Sequence, residues 1–134
     1  MSNEENIAAI IRDWTRAIEN RDRAGILAKH ADDLVMIDFP NTVHGITAYA
    51  KTWDFFDQSR RGKVVFRPSK LKVTAGDHVA FAHCDIHCEG TTAGPIDLRL
   101  TTGLVKRGGE WIVTHEHHSM PTENETLIGP EVRA

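Results

Sequence analysis

The stretch from Arg99 to Pro121, RLTTGLVKRGGEWIVTHEHHSMP, most constrains what this chain can fold into. Two runs of alternating character meet at Gly108-Gly109, a pair that accepts the positive φ angles of a tight two-residue hairpin. The second run carries three of the chain's 8 histidines and a glutamate in succession: His115, Glu116, His117 and His118. A strand sends alternate residues to opposite faces, so these four cannot share one site. If the two glycines are the turn, Arg107 pairs with Glu110, Thr101 falls opposite Glu116 and Arg99 opposite His118. One face then holds Asp97, Arg99, Thr101, Gly103, Val105, Ile112, Thr114, Glu116 and His118. The other holds Leu98, Leu100, Thr102, Leu104, Trp111, Val113, His115, His117 and Ser119. Patterning alone sends the Leu/Trp face to the core. Yet both faces carry apolar residues, and a lined cavity tolerates a few placed polar groups, so alternation leaves the choice open.

The chain ahead of the hairpin supplies helices first. Ile7, Ile10, Ile11, Trp14 and Ile18 recur three and four apart, predicting an amphipathic helix over residues 5–19. Asp22 is placed to cap a second, short helix running through Ile26, Leu27 and His30. Leu34-Val-Met-Ile-Asp-Phe39 reads as a strand stopped by Pro40, and Asn41–Gly45 as a loop. Ile46, Tyr49, Ala50, Trp53, Phe55 and Phe56 mark a third helix with a wide aromatic face. A strand over residues 63–74, with Pro68 suggesting an edge or a bulge, and a long strand over 78–89 precede the hairpin. Helices followed by a run of antiparallel strands predict an α+β fold.

With 134 residues the chain forms one domain, 1–134, able to bury a core without staples. A net charge of −3 and the lack of a basic stripe argue against nucleic acid. The polar opening MSNEEN is unlike a secretory leader, and no apolar run approaches the ~20 residues of a membrane span, so a cytoplasmic location is expected.

Along residues 79–88, Val79, Phe81, His83, Asp85 and His87 share one side, and Ala80, Ala82, Cys84, Ile86 and Cys88 the other. The small apolar set suits an interior covered by helices. Cys84 and Cys88 would stand about 13 Å apart at ~3.3 Å per residue, too far to bridge, so they are expected as buried free thiols. His83, Asp85, His87, His115 and His117 then gather on the opposite side. A zinc cluster would draw on such groups, but a hydrogen-bonded patch at a dimer interface is the preferred reading, with no metal. HEHH lacks the HExxH spacing of a helical zinc site.

Three segments carry a resemblance. Ala31-Asp-Asp-Leu-Val-Met-Ile-Asp38 followed by Gly45-Ile-Thr-Ala-Tyr49, Arg99-Leu-Thr101 twelve residues before Trp111, and the closing Trp111-Ile-Val-Thr-His-Glu-His-His-Ser-Met-Pro121 together resemble the NTF2-like superfamily. Within it, the SnoaL-like and ketosteroid-isomerase-like members are the match. The resemblance implies a cone, a curved antiparallel sheet wrapped around three N-terminal helices (the NTF2-like or cystatin-like fold). It also implies an internal pocket and a homodimer through the convex sheet face. Asp38 matches the ketosteroid isomerase general base. Trp14 stands where that enzyme has an oxyanion-hole tyrosine, a departure that argues against authentic steroid isomerisation. The second oxyanion donor falls on Asp97 or Thr101, which makes the Arg99/Thr101/Glu116/His118 face the concave one.

On that basis Asp38, His118 and Arg99 are the expected catalytic groups. Asp38 would be the base, His118 a second proton carrier, and Arg99 would hold an enolate or carboxylate with Glu116 as its buried partner. Trp14, Trp53, Phe56, Asp97, Thr101 and Glu116 would line the ligand. The expected activity is a cofactor-independent isomerase or lyase reaction that abstracts a proton next to a carbonyl of a small apolar substrate. The rival is a non-catalytic ligand-binding or oligomerisation domain of the same fold, because this fold hosts many functions. A metal-dependent enzyme using the histidine face is a third.

Overall fold

Ser2 opens the chain's first helix by a reciprocal cap. Its hydroxyl accepts from the Glu5 N–H at 3.1 Å, and the Glu5 carboxylate accepts from the Ser2 N–H at 3.4 Å. The helix that follows, α1 (Asn3–Glu19), turns Ile7, Ile11, Trp14 and Ile18 inward as their spacing predicts. Each fully buried side chain of this size contributes about 1.5–3 kcal/mol. The computed structural model describes residues 1–124. After α1 come α2 (Arg23–Leu27), β1 (His30–Ile37), β2 (Thr42–His44), α3 (Ile46–Gln58), β3 (Arg60–Ala75), β4 (Val79–Thr91), β5 (Ile96–Arg107) and β6 (Glu110–Ser119). Asp22 caps α2 through the Gly25 N–H, as its position suggested.

The six strands form one mixed sheet in the order β2-β1-β6-β5-β4-β3. All neighbours are antiparallel except β1 and β6, which run parallel. Three helices lie against the sheet's inner face, the α+β arrangement expected. Several details differ from the sequence reading: the β1–β6 pair is parallel, and β1 ends at Ile37, leaving Asp38 and Phe39 beyond it. Residues 42–44, expected as loop, pair with β1 as a short edge strand. His30, expected at the end of the second helix, is the first residue of β1, because α2 stops at Leu27 and Lys29 adopts a positive φ of 60°. Pro68 lies on the outermost strand β3, where the missing N–H costs no ladder bond, and β3 bulges just after it, between Ser69 and Lys72.

The decisive irregularity is in the hairpin. From the Gly108-Gly109 turn outward the pairs run as expected, Arg107 with Glu110 through Leu104 with Val113. Gly103 then pairs with His115, which leaves Thr114 without a partner. This is a β-bulge, two residues on one strand facing one on the other, and it reverses which side chains point inward beyond it. Gly103 permits it, since a side chain there would stand 3.3 Å from the His115 Cβ. Before the bulge Trp111 and Val113 are buried; after it Glu116 and His118 are. Thr102 therefore pairs with Glu116 and Leu100 with His118. Both halves of the strand face the core.

The buried residues form two clusters beneath the helices, a smaller one of Ile7, Ile11, Ala80, Ala82, Leu104, Trp111 and Val113 and a larger one. In the larger, Trp14, Tyr49, Trp53 and Phe66 meet Met36, Ile86, Leu98 and Leu100 from the sheet. Cys84 and Cys88 are buried free thiols within it. Burial first, with the neighbouring Asp85 charge, pushes the Cys84 thiol up to about 11. No helix among the described residues is long and apolar enough to cross a membrane.

Candidate functional site

A carboxylate sealed in a hydrophobic core has to be matched by donors, or its desolvation cost exceeds any gain. Glu116 is 2% exposed and is matched on every side. Its Oε2 lies 2.6 Å from His30 Nε2 and accepts from the Tyr49 hydroxyl at 2.7 Å; its Oε1 lies 3.0 Å from His118 Nε2. The Tyr49 hydroxyl in turn accepts from the Trp14 indole N–H at 2.8 Å. His30 Nδ1 sits 2.8 Å from the Ala28 carbonyl oxygen. Five side chains from α1, β1, α3 and β6 thus close one buried network.

The pattern assigns the protons. Both ring nitrogens of His30 face acceptors, so both carry hydrogen and His30 is an imidazolium. Burial works against that charge, but the hydrogen bond and charge of Glu116 and the Ala28 carbonyl outweigh it and raise the His30 pKa. Burial likewise opposes the Glu116 carboxylate, yet the hydrogen bonds from His118 and His30 prevail and hold it at about 2. Tyr49 is pushed well above 10.0 by burial and then by the Glu116 charge, so it remains a neutral donor. His30 and Glu116 form a neutral ion pair. His118 gives its Nε2–H to the carboxylate, which leaves the Nδ1 lone pair free.

His118 joins this network to an apolar cavity of about 240 Å³. Met36, Trp53, Phe56, Phe66, Ile96 and Leu98 form much of the wall; Asp38 and Phe39 stand where β1 ends. Trp53, Phe56 and Phe66 meet edge to face, with ring centroids 5.6–6.0 Å apart. His118 Nδ1 has no partner among the described residues. The sealed side-chain polar atom without a partner among those residues is Trp53 Nε1. His118 is the point where a titratable group held by the network reaches the cavity.

A family model described as a SnoaL-like domain matches residues 7–123. The chain belongs to the SnoaL-like family. Among solved structures, this SnoaL-like chain is similar to an NTF2-like protein from Pseudomonas putida KT2440, at 34% identity and a TM-score of 0.83, over 92% of this chain and 89% of that one. A protein with a cystatin-like fold from Caulobacter vibrioides shares 16% identity at TM-score 0.78, over 97% of each chain. LinA shares 14% at TM-score 0.78, over 88% of this chain and 85% of that one. The last two show the fold. No curated protein matches the chain.

The SnoaL-like fold brings together some of the residues expected at the site and separates others. Asp38, Trp53, Phe56 and His118 line the cavity. Glu116 lies directly behind His118. Asp38 also has a local duty, since its carboxylate accepts from the Asn41 N–H at 2.8 Å in the turn between β1 and β2. Trp14 does not line this cavity; its N–H is committed to Tyr49, away from any ligand.

Arg99, Thr101 and Asp97 are corrected outright. The bulge places them on the outer face with His117 and Ser119, not with Glu116 and His118. Arg99 bonds the Ser119 hydroxyl at 3.2 Å and the Met120 carbonyl, and Asp97 bonds His87 Nδ1 at 2.7 Å. Glu116 is therefore partnered by His30, His118 and Tyr49, not by Arg99. Of the outer-face histidines, His87 is held between Asp97 and Glu89 and His115 meets His117 edge to face, and no group of three or more His, Cys, Asp or Glu among the described residues is placed to hold a metal.

Two members of the network, His30 and Tyr49, escaped the sequence reading. Tyr49 is the chain's single tyrosine and sits on the inward stripe of α3. A buried phenol needs a polar partner, and that was the available signal. His30 carried none, because its place depends on where α2 ends.

Proposed function

We propose that this protein is a cofactor-independent enzyme that removes a proton next to a carbonyl of a small apolar molecule, of the isomerase or lyase type. The observation that carries the reading is a histidine on the wall of an apolar cavity whose Nε2 is fixed 3.0 Å from a buried carboxylate. Glu116 orients the ring and fixes its tautomer, so that the Nδ1 lone pair is the base. Through the reaction the His118 ring keeps its Nε2–H bond to Glu116. Because His30 already neutralises Glu116, the resting site holds no uncompensated buried charge. The His118 imidazolium then returns the same proton to another atom of the substrate and regains its Nδ1 lone pair, with Asp38, at the end of β1, lining the same cavity.

Deuterium exchange tests this directly. In D₂O, α-protons of a small neutral ketone such as phenylacetone exchange faster with the protein than without it. His118→Asn, which keeps a polar side chain but no base, lowers that acceleration by about 10²-fold or more. Undiminished exchange by His118→Asn, or no acceleration by the native protein across a set of such ketones, sinks the proposal.

The non-catalytic reading keeps one observation in its favour. Neither Lys nor Arg is among the residues lining the cavity, so no cation stands ready for an enolate oxygen. In either case we propose that two copies meet through the outer sheet face, where Val79 and Phe81 are 65% and 49% exposed.

A further inference from the structure

The walls of the cavity are more selective than the reaction class alone would require. An apolar cavity of 150 Å³ holds one benzene molecule. At about 240 Å³, this one exceeds that by roughly half, room to enclose a single ring with a short substituent, whereas several fused rings would stand largely outside it. A negative charge would find no partner there either. The lining contains no Lys or Arg. The nearest cation in the aromatic wall is Arg60, whose guanidinium lies 5.7 Å from the Phe56 ring centroid, and it is committed to Asp57 and to the carbonyls of Ile18 and Glu19. The acid, Asp38, would repel an anion.

Hydrogen-bonding capacity is equally limited. Thr52 gives its hydroxyl proton to the Ala48 carbonyl, and Ser59 gives its own to Phe56. Thr91 accepts from the Ala93 N–H. With the Thr52 and Ser59 protons taken by backbone, few polar groups are left for a ligand: His118 Nδ1, an acceptor inside the cavity, with the Asp38 carboxylate, the Thr91 hydroxyl proton and the unpartnered Trp53 Nε1 as the others in its lining. A ligand with many hydroxyls, such as a sugar, would leave most of them buried without partners, each at a cost of about 1–3 kcal/mol.

From this we infer that the cavity takes a single-ring molecule without negative charge that directs one donor, or one acidic C–H, at His118 Nδ1. The inference rests on the reading of this cavity as the ligand site, but it concerns binding and needs no turnover.

Titration of the native protein by calorimetry, with three probes, tests it. p-Cresol is neutral, has one ring and carries one donor, and it binds saturably. 4-Methylbenzoate keeps the ring and methyl but is anionic, and it binds at least about tenfold more weakly, since an unpaired charge would be desolvated. Androstenedione, with four fused rings, shows no saturable binding. Leu98→Trp, which fills the cavity, abolishes p-cresol binding while cooperative unfolding is retained. Should that variant not fold, His118→Phe provides the check: it removes the acceptor and weakens p-cresol about tenfold relative to toluene. Equal or tighter binding of 4-methylbenzoate or androstenedione overturns the inference. So does p-cresol binding that neither substitution changes. Selective p-cresol binding without ketone exchange would support this inference and count only against catalysis, so the two proposals fail separately.

Discussion

Replacing Glu116 with glutamine tests the network where it is most concentrated. The side chain keeps its shape but loses its charge, and an amide cannot match His30, Tyr49 and His118 together. His30 then has two courses. It can stay charged without a counter-charge in the core, and breaking a buried pair from one side costs about 3–5 kcal/mol. Alternatively it gives up its proton, and the loss is then what the network contributed to ionising Glu116. That carboxyl is held at about 2 against an ordinary 4.5, which corresponds to about 3 kcal/mol. Both routes lead to about 3 kcal/mol, a large share of the 5–15 kcal/mol that holds such a domain folded. For a chain of this length the melting temperature falls by roughly 10 °C. Urea unfolding at pH 7 of the native protein, Glu116→Gln, His30→Gln and the double variant forms the assay. The double variant should cost clearly less than the sum of the singles. Additivity within about 0.5 kcal/mol would show that the two residues do not interact and would refute the reasoning, as would a Glu116→Gln cost below about 1 kcal/mol.

Further outcomes follow from the same geometry. Because the Glu116 pKa is depressed, its contribution is complete above 4.5 and is lost as the pH falls toward 2; because the His30 pKa is raised, its contribution is complete below 6.5 and is lost as the pH rises through the raised value. The pair, counted once, is strongest between those limits, so the unfolding free energy of the native protein varies more with pH on both sides than that of Glu116→Gln. Arg99→Ala, on the outer face, changes stability by no more than about 0.5 kcal/mol and leaves p-cresol affinity within about twofold in calorimetry. Gly90→Ala costs about 2 kcal/mol or more in urea unfolding, because φ is 86° there and a methyl group would run into the Lys63 carbonyl.

Local chemistry made much of the fold legible. The three-four spacing of Ile7, Ile11, Trp14 and Ile18, the Asp22 cap, the Gly108-Gly109 turn and the strict alternation of Ala80, Ala82, Cys84, Ile86 and Cys88 each depend on neighbours in sequence, and each stands in the structure as read. The expectation that Asp38, Trp53, Phe56 and His118 stand around a cavity came from a resemblance covering nearly the whole chain, not from periodicity.

What the sequence could not decide was the face of the last strand. Alternation is a rule about unbroken ladders, and one unpaired residue, Thr114, inverts it for everything beyond. Counting from the turn therefore grouped Glu116 with Arg99, whereas the fold sends Glu116 inward with Trp111 and Val113 and leaves Arg99 outside. The partners that make a buried glutamate tolerable come from positions 30, 49 and 118, and only tertiary packing brings those to one point. The sequence by itself determined the helices, the strands and the turn between the last two. The tertiary structure decided which charged residues the core would accept, because burial costs depend on partners in space and not on neighbours in the chain.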